Sequence, residues 1–256
     1  MKDSAVIYTV KKFIDSILET YGILSRRTLD DYMSGRKWKE YISDFSECFE
    51  LAYGTTKACL IFDDYNYVVK IPLYYTLARK DENYMGEWMS NERKKGVYLG
   101  ISKAEDSCRI ETEIYNRAKE WGLDDVFAAE EKIMTYHGIP IYAQKRIDTT
   151  YFNSDNYMTI DDLEEDDDVS DKYNEIMQLV CANIELADCD EINCFLENVN
   201  FIIDLYEVYR SRFLNIISFI ITEHIDDLHN ENVGYDMGGR PIIFDYSGFS
   251  RNKTED

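Results

Sequence analysis

Residues 49–71 constrain the fold more than any other stretch of the chain. Runs 49–53, 58–62 and 67–71 are short and rich in β-branched and aromatic side chains. Gly54-Thr55-Thr56-Lys57 and Asp63-Asp64-Tyr65-Asn66 separate them, and both spacers are turn material, because Gly, Asn and Asp tolerate or cap tight bends. The pattern predicts three strands in a meander. Two more strands, 132–136 and 139–145, flank His137-Gly138. Before the meander, residues 4–21 carry apolar side chains at helical spacing, with Ser4 as N-cap and Gly22 as the stop. A polar stretch fills 24–47, and 76–107 reads as an exposed insertion. Helical spacing returns at 109–121, with Ile110, Ile114, Ala118 and Trp121 on one face, and again at 171–187 and 193–222. The chain then forms a hairpin, 233–235 against 241–244, across Asp236-Met237-Gly238-Gly239. Sheet first and helices later predicts an α+β protein.

At 256 residues the chain is one large domain or one bilobed unit. With 45% hydrophobic and 30% charged residues it is globular rather than disordered. Its 28 Lys and Arg against 50 Asp and Glu leave a net charge of −22. Such a field repels phosphate backbones and anionic lipid, so no direct binding to nucleic acid or membrane is expected. The six cysteines form no C-x-x-C pair and there are three histidines, so no zinc spacing is present and reduced thiols are expected. The most apolar stretch, 213–221, is interrupted by Asn215 and Ser218 and is too short to span a bilayer. With no export signal read at the N-terminus, the expectation is a soluble cytoplasmic protein.

The acidic run Asp161-Asp162-Leu163-Glu164-Glu165-Asp166-Asp167-Asp168 holds seven carboxylates in eight positions. A block of this kind predicts a solvated loop; the alternative is a docking strip for a basic protein partner.

Chemistry concentrates near the C-terminal hairpin. Asp227-Leu228-His229-Asn230-Glu231-Asn232 is followed, thirteen residues after Asn232, by Asp245-Tyr246-Ser247-Gly248. An Asn carbonyl and an Asp carboxylate are hard oxygen donors suited to Mg²⁺. A further Asp suits the deprotonation of a hydroxyl. Upstream, Val68-Val69-Lys70 ends a strand run on a cation, and Glu111-Thr112-Glu113-Ile114-Tyr115 opens a helix. Phosphoryl transfer needs little more than positioning and charge neutralisation, and these residue types provide both.

In order and spacing, these motifs resemble the protein-kinase-like fold. The resemblance covers roughly residues 49–249 and implies a bilobed α+β protein. Residues 1–48 would be an N-terminal helical extension, 49–145 an antiparallel-sheet N-lobe with its helix C, and 146–256 a reduced helical C-lobe with the acidic insertion. It implies ATP and Mg²⁺, with Asp227 as base, Lys70 on phosphate, Glu111 holding Lys70, and Asn232 with Asp245 on the metal. Glu113 competes with Glu111; Tyr115, an apolar residue four positions on, fits the pattern after Glu111. Gly54, Thr55, Thr56 and Lys57 stand where the family's phosphate loop lies, although Gly54 is the only glycine there.

The departures bear on function. Ile225-Asp226 replaces the His-Arg or His-Gly that precedes the base, and His229 is similar to the aminoglycoside-phosphotransferase branch. Eight residues follow Gly248, so the resemblance implies no activation segment and no peptide-docking platform. Compact kinase-like proteins of bacteriophages and their hosts carry a similar D-L-H-x-x-N-V-G and D-Y-S-G pair. Two functions follow: a phosphotransferase of unknown acceptor, or a pseudokinase-like acidic protein that engages or inhibits a basic, nucleic-acid-binding partner.

Overall fold

The computed structural model describes residues 4–35, 49–54, 56–62, 64–74, 107–148, 158, 160–165, 167–184, 190–225, 228–229 and 232–247. Thr55, Asp166, Asp227 and residues 76–106 of the expected insertion lie outside them. The described residues form an α+β protein with a five-stranded antiparallel sheet and seven α-helices. In chain order the elements are α1 (Ser4–Tyr21), α2 (Arg26–Ser34), β1 (Glu50–Tyr53), β2 (Lys57–Ile61) and β3 (Tyr67–Pro72). Then come α3 (Ser107–Glu120), β4 (Glu130–Tyr136), β5 (Ile139–Lys145), a 3-10 helix (Ile160–Glu165), α4 (Asp167–Asn183) and α5 (Asp190–Leu196). The series closes with α6 (Val199–Tyr209), α7 (Phe213–Thr222), β6 (Val233–Tyr235) and β7 (Pro241–Ile243). Two compact units divide the chain: 1–109 with 131–144, and 110–130 with 145–256.

In the first unit the sheet runs β1-β2-β3-β5-β4. Register is set by alternation: Leu51↔Leu60 and Leu60↔Val69 face the core, with Ala58↔Ile71 beside them. A slip of one residue would turn that whole set to the other face. Helices α1 and α2 share this core through Val10, Phe13, Ile14, Ile17, Leu29 and Tyr32. Phe13 meets Phe49 edge-on at 5.6 Å, a geometry worth about 0.5–1.5 kcal/mol beyond area burial. Gly22 stops α1 as expected, at φ +72°, its N–H donating to the Leu18 carbonyl at 2.8 Å. Helix α2 lies in the stretch read as merely polar. Its signal was a capping box: the Ser25 hydroxyl accepts from the Thr28 N–H at 3.2 Å, and the Thr28 hydroxyl from the Ser25 N–H at 2.8 Å. Between β4 and β5, His137 (φ +49°) and Gly138 (φ +79°) make the two-residue turn that matches strand twist. Asp15 of α1 clasps that turn, accepting from the Tyr136 hydroxyl at 2.9 Å and lying 2.9 Å from His137 Nε2.

In the second unit α3 contributes Ile110, Ile114 and Ala118 to a core completed by α4–α7, Val233, Ile243 and Tyr246. Trp121 does not join that face. It lies past the end of α3, 45% exposed, with its ring 5.5 Å from Phe219. The single helix expected at 193–222 is three, because tertiary anchors interrupt a continuous helical pattern. One break is at Asn198. The other is at Arg212, whose guanidinium grips both Asp125 oxygens at 2.9 and 2.7 Å and the Gly122 carbonyl at 2.6 Å. Among its described residues the acidic run is helical rather than a loop. Its first part falls in the 3-10 helix, and Asp167 and Asp168 form the first turn of α4. Carboxylates there face the positive end of the helix macrodipole, which stabilises them and the helix together.

Candidate functional site

Two of the expected site residues are buried lysines on one sheet face of the first unit. Core residues Ala58 and Leu60 alternate with Lys57 and Cys59 on β2, and Val69 and Ile71 alternate with Lys70 on β3. Lys57, Cys59 and Lys70 therefore share the face turned away from α1 and α2. Lys70 pairs directly with Cys59, and Lys57 with Pro72, which makes the two lysines diagonal neighbours. Both are buried, at 6% and 3% exposure, and lysine is seldom buried without a partner. Lys70 thus stands on the third strand of the chain. The β1–β2 turn closes with the Gly54 N–H donating to the Lys57 carbonyl at 3.0 Å, and the Thr56 carbonyl accepts from Leu73 N–H at 2.8 Å. A methyl group at Gly54 would meet nothing within 4 Å.

The remaining expected residues fall in the second unit. Glu111 on α3 is wholly buried, whereas Glu113 is half-buried. Asn232 and Asp245 flank the β6–β7 hairpin. Val233 pairs with Ile243, and the Phe244 N–H donates to the Asn232 carbonyl at 2.9 Å. This register sets Asn232 and Asp245 at the same open end of the ribbon. Asp245 adopts φ +53°, in the left-handed region that non-glycine residues enter at a cost. It is held there from both sides: Phe244 is tied to Asn232, and Tyr246 is buried with its hydroxyl on the Ala128 carbonyl at 2.7 Å and its ring against Phe127. Asn232 is buried, its N–H donates to the His229 carbonyl at 2.9 Å, and its side-chain nitrogen lies 3.4 Å from His229 Nε2.

Gly234, and Asp236 of the expected hairpin turn, fix this ribbon. Gly234 is where β6 passes closest to the chain at 147–148: a Cβ there would sit 2.7 Å from both the Asp148 carbonyl and Ile147 Cγ2. Asp236 organises the hairpin tip, accepting from Gly238 N–H, Arg240 N–H, the Arg240 guanidinium and the Lys145 ammonium. Burial alone would raise its carboxyl pKa. The hydrogen bonds from Arg240, Gly238 and Lys145 outweigh that and hold it far below the usual carboxylate range. The Asp-x-Gly-Gly spacing was the available signal for this turn. On β7, the Ala128 N–H and the Val126 carbonyl bond Ile243, and on β6 Asp148 bonds Tyr235 in both directions.

Among the described residues no group of three or more His, Cys, Asp or Glu forms a protein-only metal cage. Mg²⁺ characteristically takes one or two side-chain oxygens and fills its octahedron with water and phosphate, so the hard donors Asn232 and Asp245 fit it chemically. No helix among the described residues is long and apolar enough to cross a membrane. Comparison with family models, with curated proteins and with solved structures found no match.

Proposed function

We propose that the chain is an ATP- and Mg²⁺-dependent phosphotransferase of the protein-kinase-like fold, acting on an acceptor that its residues do not name. The observation that carries this reading is the placement of Asn232 and Asp245 at one end of the β6–β7 ribbon, with Asp245 held at φ +53°. Strained, over-determined backbone at a carboxylate is characteristic of functional sites. The buried lysines Lys57 and Lys70 on one sheet face add the cationic counterpart. In this reading Lys70 neutralises phosphate charge and Asp227 takes the proton of the attacking hydroxyl. Asn232 and Asp245 would hold Mg²⁺, which would supply neutralisation of phosphate charge.

The test is thermal unfolding with ATP plus Mg²⁺ against ATP plus EDTA. A ligand bound only by the native state adds roughly 2.7 kcal/mol at one hundred times its Kd. No metal-dependent shift at millimolar nucleotide removes this reading. It would leave the second, a pseudokinase-like acidic protein that docks a basic partner, which is favoured by the net charge of −22 and by exposed Asp162, Asp167 and Asp168.

A further inference from the structure

Asn198 occupies the N-cap position of α6 and does not cap it. Asparagine is among the strongest N-cap residues, its side-chain oxygen normally accepting an N–H of the first turn. No such bond is made here. The side chain is 2% exposed, and its amide nitrogen is spread over three carbonyls. Two close the end of α5: Cys194 at 2.9 Å and Phe195 at 3.1 Å. The third, at 3.5 Å, is the carbonyl of Leu228, thirty residues along the chain. Leu228 is itself wholly buried, so its carbonyl must be satisfied within the protein. All of these residues belong to the second unit.

We propose that Asn198 is a positioning residue for Leu228 and, through it, for the stretch that leads to Asn232. Leu228 is the chain neighbour of Asp227 and stands four residues before Asn232, whose N–H returns to the His229 carbonyl. Holding the Leu228 carbonyl from the α5–α6 junction fixes where that segment starts, relative to helices packed in the core. A residue serving only α6 would turn its oxygen to the helix; this one turns its amide nitrogen away from it, to the end of α5 and on to Leu228. Asn198 acts through Leu228 and touches none of the reacting groups. Its influence on turnover rests on the phosphotransferase reading, whereas the clamp itself does not.

The experiment uses the full chain with Asn198→Ser, which keeps N-cap competence but lacks an amide long enough to reach Leu228. Asn198→Asp, the same size without N–H donors, is the second variant. Hydrogen exchange is followed in peptides covering 226–232, with peptides of α6 as the internal control. Affinity for ATP·Mg²⁺ and release of ADP with water as acceptor are measured alongside. The expected result is exchange at 226–232 faster by about tenfold or more with α6 unchanged. Turnover falls on the order of 10- to 100-fold, as displacement by an ångström can cause, while nucleotide affinity stays within about twofold. Unchanged exchange at 226–232 overturns the proposal, as does loosening of α6 and the segment together. Faster exchange with turnover and affinity both unaltered overturns the positioning role. If the unsubstituted chain neither binds ATP nor releases ADP, the phosphotransferase reading fails, and the exchange result alone still upholds or refutes the clamp.

Discussion

Gly234→Ala isolates the packing that holds the candidate metal-binding ribbon. The added methyl group would lie 2.7 Å from the Asp148 carbonyl and 2.7 Å from Ile147 Cγ2, one contact to backbone and one to a branched side chain. Neither yields cheaply. If the ribbon stays in place, the strain of overpacking costs about 1–3 kcal/mol. If the 147–148 segment moves aside, it gives up the two hydrogen bonds between Asp148 and Tyr235, at 2.9 and 3.0 Å, each worth about 0.5–1.5 kcal/mol net. Either route costs about 1–3 kcal/mol, which lowers Tm by roughly 2–12 °C for a chain of this size. Gly54→Ala is the matched control, because nothing lies within 4 Å of its added methyl group and its φ is not positive. The assay is thermal unfolding of both variants beside the unsubstituted protein, followed by circular dichroism. An unchanged Tm for Gly234→Ala, or an equal fall for Gly54→Ala, would refute the close-approach argument.

Other outcomes test the site and its surroundings. Asp245→Asn should weaken Mg²⁺-dependent nucleotide binding, whereas Asp227→Asn should leave binding in place and lower turnover by about a hundredfold or more; calorimetry and ADP release separate the two, and equal small effects would mean the roles are misassigned. Asp236, with its pKa depressed on folding, contributes stability that is complete above the unfolded carboxylate value near 4 and is lost as pH falls through the lower folded value. Asp236→Asn should therefore flatten the acid limb of a Tm–pH profile below about pH 4, and a superimposable acid limb would count against the hairpin-tip network. Replacing Asp167 and Asp168 with Asn should destabilise α4 by about 0.3–1 kcal/mol per charge at low salt and less at high salt. A purely solvated loop would show no loss in denaturant titrations.

Much of the fold was legible because it is written in local pattern. The strands at 49–53, 58–62 and 67–71 lie within a residue or so of β1, β2 and β3, because alternation and turn residues act over a few neighbours. Helix α1 and the β6–β7 hairpin were readable for the same reason. Helix α2 was hidden because its buried set, Thr28, Leu29 and Tyr32, is small and partly polar beneath a charged surface. The acidic run misled because charge density says nothing about a helix macrodipole that only the folded chain supplies.

The sequence alone determined the strands, the first helix and the C-terminal hairpin, the order of the chemistry-bearing residues, and the oxygen and nitrogen donors available at Lys70, Glu111, Asn232 and Asp245. Only the tertiary structure decided that α1 and α2 share a core with the sheet, that one helical stretch breaks into three, and that Asp245, at the end of the ribbon it shares with Asn232, is left-handed. The physical reason is range. Periodicity, capping and turn chemistry are settled within a few residues. The Arg212–Asp125 grip, the passage of Gly234 over Asp148 and the reach of Asn198 to Leu228 join residues 30 to 87 positions apart. Such contacts form only once the core has brought those segments together.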